Sequence, residues 1–375
     1  MLVYLIFVSI PLIFGYLAIL SLFVYHWEKT EEWHLPPAYK PTIQISVLIA
    51  ARNESKNIAA CIDSLKALNY PSEYYEVLIV DDHSEDNTAA IVESKSNKTI
   101  RLLRLPHHQK GKKKALAYAI EAAKGTLIVC TDADCLVPSD WLMYIASFYQ
   151  SNQFKFIAAP VSFYSEKNKF HQFQSLDFMG MMAVAAAGIR GGFMQMSNGA
   201  NLAFEKKAFE TVKVYEGHEH LASGDDMLLM EKIAKQYPKQ LGFLKQLQAQ
   251  TKTKPPQGVA AFVDQRIRWA SKSSSYSSWQ VKFILLMVWL LCLSILLDAV
   301  LAFWNSSFLY LVILKLVLKA LADFYFLNTM AVFFKRKSLM KAFVSSFFFH
   351  CIYIILIGFL GNLRKEYRWK GRITR

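Results

Sequence analysis

The chain has 375 residues, 54% hydrophobic and 19% charged, and its 43 Lys and Arg against 29 Asp and Glu leave a formal charge of +14. With 27 Phe, 18 Tyr and 8 Trp and no low-complexity stretch, it cannot be a disordered, collagenous or coiled-coil chain. The apolar excess sits at the two ends, and the middle reads as a water-soluble domain.

Leu2 to Tyr25 is a run of 24 residues with no ionisable side chain except tyrosine, enough to cross a hydrocarbon core of about 30 Å. No Lys or Arg precedes it and it is too long for a signal-peptide core, so residues 1–27 read as a retained anchor, with His26 and Trp27 at the interface. Pro36, Pro37 and Pro41 mark a linker over 28–42. From 43 to 272 the pattern alternates. Ile45–Ala51 is a near-unbroken apolar run expected of a strand buried on both faces. Ser55 can cap a helix running to about Leu68, Glu76–Val80 is a second strand, and Asp86 or Asn87 starts another helix. Ile100–Arg104 is a third strand, Lys112–Ala123 a helix with Gly125 as its C′ residue, and Thr126–Cys130 a fourth strand. This alternation predicts an α/β fold with a mostly parallel sheet, whose ligands bind beyond the carboxyl ends of the strands.

Those ends are acidic: Arg52-Asn53-Glu54, Asp81-Asp82 and Asp132-Ala133-Asp134. GxGxxG and GxxxxGK[ST] are both missing. Carboxylates repel phosphates but hold a divalent cation that bridges to them, a task suited to Asp132 and Asp134; the alternative for each acid is a helix cap or turn former. Cys61, Cys130, Cys135, Cys292 and Cys351 form no CxxC pair and read as reduced thiols. The basic excess comes without a nucleic-acid-binding motif, so anionic lipid headgroups and a pyrophosphate substrate account for it better. Phe170–Gly188 is either an interfacial helix or a core helix.

Three further apolar stretches, Phe283–Trp304, Phe308–Phe334 and Ala342–Leu363, make a C-terminal membrane region of two or three helices over 283–363, followed by a basic tail over 364–375. Lys315, Lys319 and Asp323 are four apart and share one helix face. They form either an ion-paired stripe, with Asp298 as a partner, or a polar path for a substrate. The Lys and Arg of the middle place it in the cytoplasm in a multi-pass protein; three C-terminal crossings would then put the tail outside, against the positive-inside rule.

The quoted motifs, taken together, resemble a known family. ISVLIAARNE (45–54), VDDHSED (80–86), Gly111-Lys112 with Ala115-Leu116, TDAD (131–134), SNGANLAF (197–204), Gly224-Asp225-Asp226 and QRIRW (265–269) are similar, in order, to the signatures of family 2 glycosyltransferases with the GT-A fold. The QxxRW sequence and flanking apolar helices resemble the membrane-bound branch that includes cellulose, chitin and hyaluronan synthases. Ala117-Tyr118-Ala119 and Gly224-Asp225-Asp226 depart from the usual forms without removing a required charge.

The resemblance implies a metal-dependent, inverting transfer from a UDP-sugar to a glycan or lipid-linked acceptor. Glu54 and Asp82 would hold the uridine end, with Asp81 a weaker candidate, and Lys112 would reach the same nucleotide. Asp132 and Asp134 would bind Mg²⁺ or Mn²⁺ at the pyrophosphate. Asp226, beside Asp225 and near a helix N-terminus, would be the general base. Gly199 and Asn201 would bring backbone close to donor or acceptor. Gln265 and Arg268 share a helix face, Arg268 offering a fork for diphosphate and Trp269 a face for a sugar ring; Arg266 and Lys272 read as basic residues of an interfacial helix. The rival readings are a polyprenyl-phosphate sugar transferase, which needs no base, and a non-catalytic transporter component. Extruding a polymer would require oligomerisation or an export partner; the alternative is addition of one or a few sugars.

Overall fold

The computed structural model describes residues 4–194, 196–214, 225–270, 278–363, 367–369 and 372–374. In chain order its main elements are α1 (Ile10–Glu28), β1 (Ile45–Ala51), α2 (Ile58–Lys66), β2 (Tyr75–Asp81), α3 (Thr88–Lys95), β3 (Ile100–Arg104), α4 (Lys112–Ala122), β4 (Leu127–Cys130), α5 (Trp141–Asn152), β5 (Phe156–Ala158), β6 (Val161–Phe163) and α6 (Lys169–Gly191). They continue with β7 (Leu202–Glu205), α7 (Lys206–Val212), α8 (Asp225–Gln236), β8 (Leu241–Phe243), β9 (Thr251–Thr253), α9 (Gly258–Ala270), α10 (Trp279–Leu301), α11 (Ser307–Phe333) and α12 (Phe343–Leu363). Two compact units result: a sheet unit of residues 30–164, 195–254 and 369–375, and a helical unit of residues 1–29, 165–194 and 255–368.

The sheet unit is built on seven strands in the order β3-β2-β1-β4-β7-β5-β8. β1 runs parallel to β2 and β4, β2 parallel to β3, and β7 antiparallel to both β4 and β5. Ile45, Val47, Leu48 and Ile49 of β1 are all buried, which is why this strand reads as an unbroken apolar run. Its bounds, and those of β3, match the sequence expectation. α4 packs on β1 and β2.

Two local expectations are corrected. α2 starts at Ile58, not Ser55: the Glu54 carbonyl accepts the N–H groups of Asn57 and Ile58, both at 2.9 Å, while the Ser55 N–H donates to Asp86 Oδ2 at 3.0 Å. Gly125 is not a helix C′ residue; α4 ends at Ala122, and Ala123 leaves in an extended conformation. Gly125 is small because a Cβ there would lie 2.4 Å from the Ser46 backbone nitrogen and 2.6 Å from the Ile45 carbonyl carbon.

Glu76 ties the amino end of the sheet together, accepting from Ser46 Oγ at 2.8 Å, Arg101 Nη2 at 2.7 Å and the Lys124 N–H at 2.7 Å. Partial burial pushes its carboxyl upward, but the three hydrogen bonds and the Arg101 charge outweigh this and hold it below its ordinary value of 4.5. A depressed folded-state pKa contributes stability above the unfolded value that is lost as pH falls through the folded one. Glu76→Gln is therefore expected to lower stability near neutral pH and to flatten its acid-side fall below about pH 4.5, measured by denaturant melts of detergent-solubilised protein between pH 3 and 7.

In the helical unit, α6 packs against α1, α11 and α12, and α10 against α1, α11 and α12. Phe7–Glu28, Trp279–Leu301 and Lys337–Gly361 are long and apolar enough to cross a membrane. α11 has 27 residues, spanning about 40 Å, and directs its three charges inward. Lys315 pairs with Asp298 at 2.7 Å and also donates to Ser294 at 3.0 Å, while Tyr4 donates to the other Asp298 oxygen at 2.6 Å. Lys319 pairs with Asp323 at 2.5 Å, and Tyr16 donates to the same carboxylate. The stripe is ion-paired. α6, the stretch open to interfacial or core readings, buries residues around most of its circumference, among them Phe173, Leu176, Phe178, Met179, Met182 and Ala183, and so forms a core helix of this unit.

Candidate active site

The carboxyl ends of β1, β2 and β4 meet at one rim, because the registers pair Ala51 with Asp81 and Leu48 with Cys130. Two loops leaving this rim are laced together. Arg52, buried, donates Nη1 to the carbonyls of Asp82, at 2.8 Å, and of His83, and Nη2 to Glu85 at 2.8 Å. Asn53 takes the Glu85 N–H at 2.8 Å and gives its own N–H to Ser84 Oγ at 3.0 Å. Asn53 and His83 both adopt positive φ, 51° and 54°, a conformation that costs energy and persists where surrounding bonds impose it. Sequence reading placed Arg52 at the rim and gave it no role; an Arg directly after a buried strand was the available signal.

The structure separates the acids by what they hold. Glu54 is buried, its N–H donating to Thr88 Oγ1 and its Oε2 accepting from Asn57 Nδ2, both at 2.8 Å. Asp82 is 1% exposed, and its Oδ2 accepts the Gly111 N–H at 3.0 Å. Gly111 has φ +96°, a conformation that suits glycine, and opens α4, so Asp82 anchors the loop that delivers Lys112. Asp81 is different. Its Oδ2 accepts the Ser84 N–H at 3.2 Å, but its buried Oδ1 has no hydrogen-bond partner among the described residues. An orphaned buried carboxylate oxygen is costly unless a ligand completes it. Lys113, next to Lys112, is buried.

Asp132, Asp134 and Cys135 bring their ligand atoms within 4.8 Å of one another. The two carboxylates suit a hard divalent cation such as Mg²⁺ or Mn²⁺. The Cys135 thiol does not: burial, then the charges of Asp134 and Asp132, push it well above its ordinary value, so it stays protonated. The segment is pinned from both sides. Thr131 Oγ1 donates to the Ala200 carbonyl at 2.9 Å, and Leu136 and Lys252 exchange backbone bonds of 2.8 and 2.9 Å.

Lys112 pairs with Asp132. Asp226, in the first turn of α8, accepts the Gly199 N–H at 3.0 Å. A Cβ on Gly199 would meet Lys112 Nζ at 3.4 Å and Asp226 Oδ2 at 3.7 Å. Asp132, Lys112, Gly199 and Asp226 therefore lie close together in that order, joined by the Lys112–Asp132 pair and the Gly199–Asp226 hydrogen bond. Gly224 and the Asp225 side chain lie outside the described residues. The Asn201 side chain is fully buried and committed: its amide donates to the carbonyls of Pro160 and Ala249, both at 2.7 Å, and accepts from the Trp141 indole at 3.0 Å. It braces the turn that carries Gly199.

Gln265, Arg268 and Trp269 lie on α9 in the helical unit. Trp269 stacks on Phe178 with ring centroids 6.2 Å apart, and the Arg266 guanidinium sits 4.4 Å from its centroid.

Residues 46–213 match the sequence model of glycosyl transferase family 2. This segment, a little under half of the chain, is therefore similar to family 2 glycosyltransferases. The β-monoglucosyldiacylglycerol synthase of Trichormus variabilis is 34% identical over 128 residues, covering 33% of this chain and 26% of that protein. The poly-β-1,6-N-acetyl-D-glucosamine synthase of Staphylococcus epidermidis is 24% identical over 232 residues, 60% of this chain and 53% of that one. The chain thus spans about a quarter and about half of the lengths of these relatives. A mannosyltransferase from Pyrobaculum calidifontis, solved with GDP-mannose and Mn²⁺, superposes with a TM-score of 0.62 at 19% identity, covering 91% of this chain and 97% of that one. The sheet unit has the GT-A fold. The family match ends before Asp226 and the QRIRW sequence, whose roles rest on chemistry.

Proposed function

We propose that the protein is a membrane-anchored, multi-pass, inverting glycosyltransferase that moves a sugar from a UDP-sugar to a glycan or lipid-linked acceptor on the cytoplasmic side. The observation that carries this reading is the proximity of Asp132, Lys112, Gly199 and Asp226, which sets a metal-type carboxylate pair and a second, separate carboxylate on either side of one lysine and one bare backbone turn.

The acceptor hydroxyl oxygen forms its bond to the anomeric carbon as the bond from that carbon to the diphosphate oxygen breaks, and the hydroxyl proton passes to the Asp226 carboxylate. Gly199, lacking a side chain, leaves room beside Asp226 for the reacting centre. Lys112 offsets the charge growing on the leaving diphosphate; on α9, Arg268 offers a planar fork suited to a diphosphate, and Gln265 would assist it from the same helix face. Asp132 and Asp134 would hold Mg²⁺ or Mn²⁺, which supplies Lewis-acid neutralisation of the pyrophosphate when bound. Trp269 would line the acceptor side. The names of the Trichormus and Staphylococcus relatives are those of a glycolipid synthase and a polysaccharide synthase, which supports a lipid-linked or a glycan acceptor.

Asp82 also holds the Gly111 N–H, and Asp81, whose Oδ1 has no partner among the described residues, is assigned to an N–H of the base, with Glu54 and Asp82 as the other nucleotide-binding acids. Asp81→Asn is expected to weaken UDP binding by roughly 10- to 100-fold, as for loss of a charged hydrogen bond, with kcat little changed; calorimetry with UDP checks it. The reading as a whole is tested by incubating detergent-purified protein with UDP- and GDP-sugars and candidate acceptors, with and without EDTA. Metal-dependent transfer or hydrolysis of a UDP-sugar is expected, and turnover of GDP-sugars alone would overturn the assigned donor.

A further inference from the structure

Arg266 lies between two residues of the QRIRW sequence, and its environment is not that of an interfacial lysine or arginine. Its side chain is 4% exposed and pairs through Nη2 with Asp177 Oδ2 at 2.6 Å, and Asp177 is itself 6% exposed. The other Asp177 oxygen accepts the Tyr353 hydroxyl at 2.7 Å. One carboxylate on α6 therefore gathers a guanidinium from α9 and a phenol from α12. Aromatic rings enclose the pair: the Arg266 guanidinium carbon lies 4.8 Å from the Phe262 centroid, 4.4 Å from Trp269 and 5.9 Å from Tyr353. Phe173 closes the cage, 5.7 Å from Phe262 and 5.6 Å from Tyr353. The end of α9 also rests directly on α12, because a Cβ on Gly361 would fall 2.7 Å from the Ala270 Cβ.

A buried ion pair is a weak source of stability compared with an apolar replacement, and its best-attested use is to fix one register among alternatives. Here the register in question is that of α9. Successive helical residues turn by roughly 100°, so Arg268 points roughly 200° away from Arg266, to the opposite side of the helix. Anchoring Arg266 inward in the aromatic cage sets the rotation at which Arg268 faces outward. Asp177 supplies the axial stop through its second bond to Tyr353.

We propose that Asp177, Arg266 and Tyr353 form a positioning network that fixes the rotation of α9 and, through it, the aim of Gln265 and Arg268. None of the three touches substrate. The proposal rests on the reading that Arg268 serves the leaving diphosphate, and the experiment separates the two.

Arg266→Lys keeps the charge and removes the planar fork, and Tyr353→Phe removes one hydrogen bond at nearly constant volume, so the second variant preserves the test where the first folds poorly. Each is measured alone and combined with Arg268→Ala. In the enzyme with Arg268 intact, kcat/KM is expected to fall roughly tenfold for Arg266→Lys and roughly threefold for Tyr353→Phe, each the loss of one directed contact. In the Arg268→Ala background both effects should shrink to less than about twofold, since a device that works through Arg268 has nothing left to aim. Hydrogen–deuterium exchange without substrate should quicken in residues 258–270 and stay unchanged in α1. Additive losses, or unchanged exchange in α9, would overturn the positioning role alone. Absence of transfer by the unmodified protein with every sugar nucleotide would overturn the functional reading, and the positioning role with it.

Discussion

Asp226→Asn is expected to lower kcat by about 10²- to 10⁴-fold, the usual range for loss of a general base, while UDP binding stays within about twofold. The separation follows from where Asp226 sits. It contacts Gly199, whereas the carboxylates assigned to nucleotide and metal lie at or just beyond the carboxyl ends of β1, β2 and β4. Asparagine retains an oxygen able to accept the 3.0 Å bond from the Gly199 N–H, so the turn should stay in place and the loss should be chemical. Single-turnover transfer with a UDP-sugar, alongside UDP calorimetry, measures the two quantities. An Asp226→Asn enzyme that keeps full activity would remove the base, and activity retained on a polyprenyl phosphate, whose acceptor oxygen is already ionised, would move the protein to that class of transferase.

The sheet was legible because its evidence is local. A strand buried on both faces must be apolar along its length, so Ile45–Ala51 could be bounded from composition alone. The acidic strand ends were legible for the same reason, since they directly follow such runs. What each acid does was not, because its partners are remote. Asp82 meets Gly111, 29 residues on, and Asn201 is consumed by Pro160, Ala249 and Trp141. Only those bonds distinguish an acid that braces a loop from one, such as Asp81, with an oxygen to offer. The same holds for Arg266, which reads as one more cation on a basic helix until Asp177, 89 residues earlier, is placed against it. Gly125 shows the converse: a glycine after a helix suggests a cap, but the constraint comes from a neighbouring strand. Local pattern specifies elements; polar function is decided by contacts across the chain.

The inward charges of α11 give the second large effect. Lys315→Met is expected to destabilise the helical unit by about 3–5 kcal/mol, the cost of leaving a buried charge without its partner. Asp298 would keep only the Tyr4 hydroxyl in a site where it is 0% exposed. The double replacement Asp298→Leu with Lys315→Met removes both charges, and the apolar pair should recover most of that loss, since a buried ion pair gives little net stability over hydrophobic packing. Thermal unfolding of the two variants in detergent, scored by retained monodisperse protein, compares them. Recovery in the double variant together with unchanged sugar transfer is the result expected of a stripe whose charges neutralise one another. A double variant that folds well but loses transfer or product release would assign these residues to a polar path through the helices. The geometry favours the first outcome, because Lys315 and Lys319 each bond both a carboxylate and a hydroxyl from neighbouring positions, which leaves little donor capacity for a passing substrate.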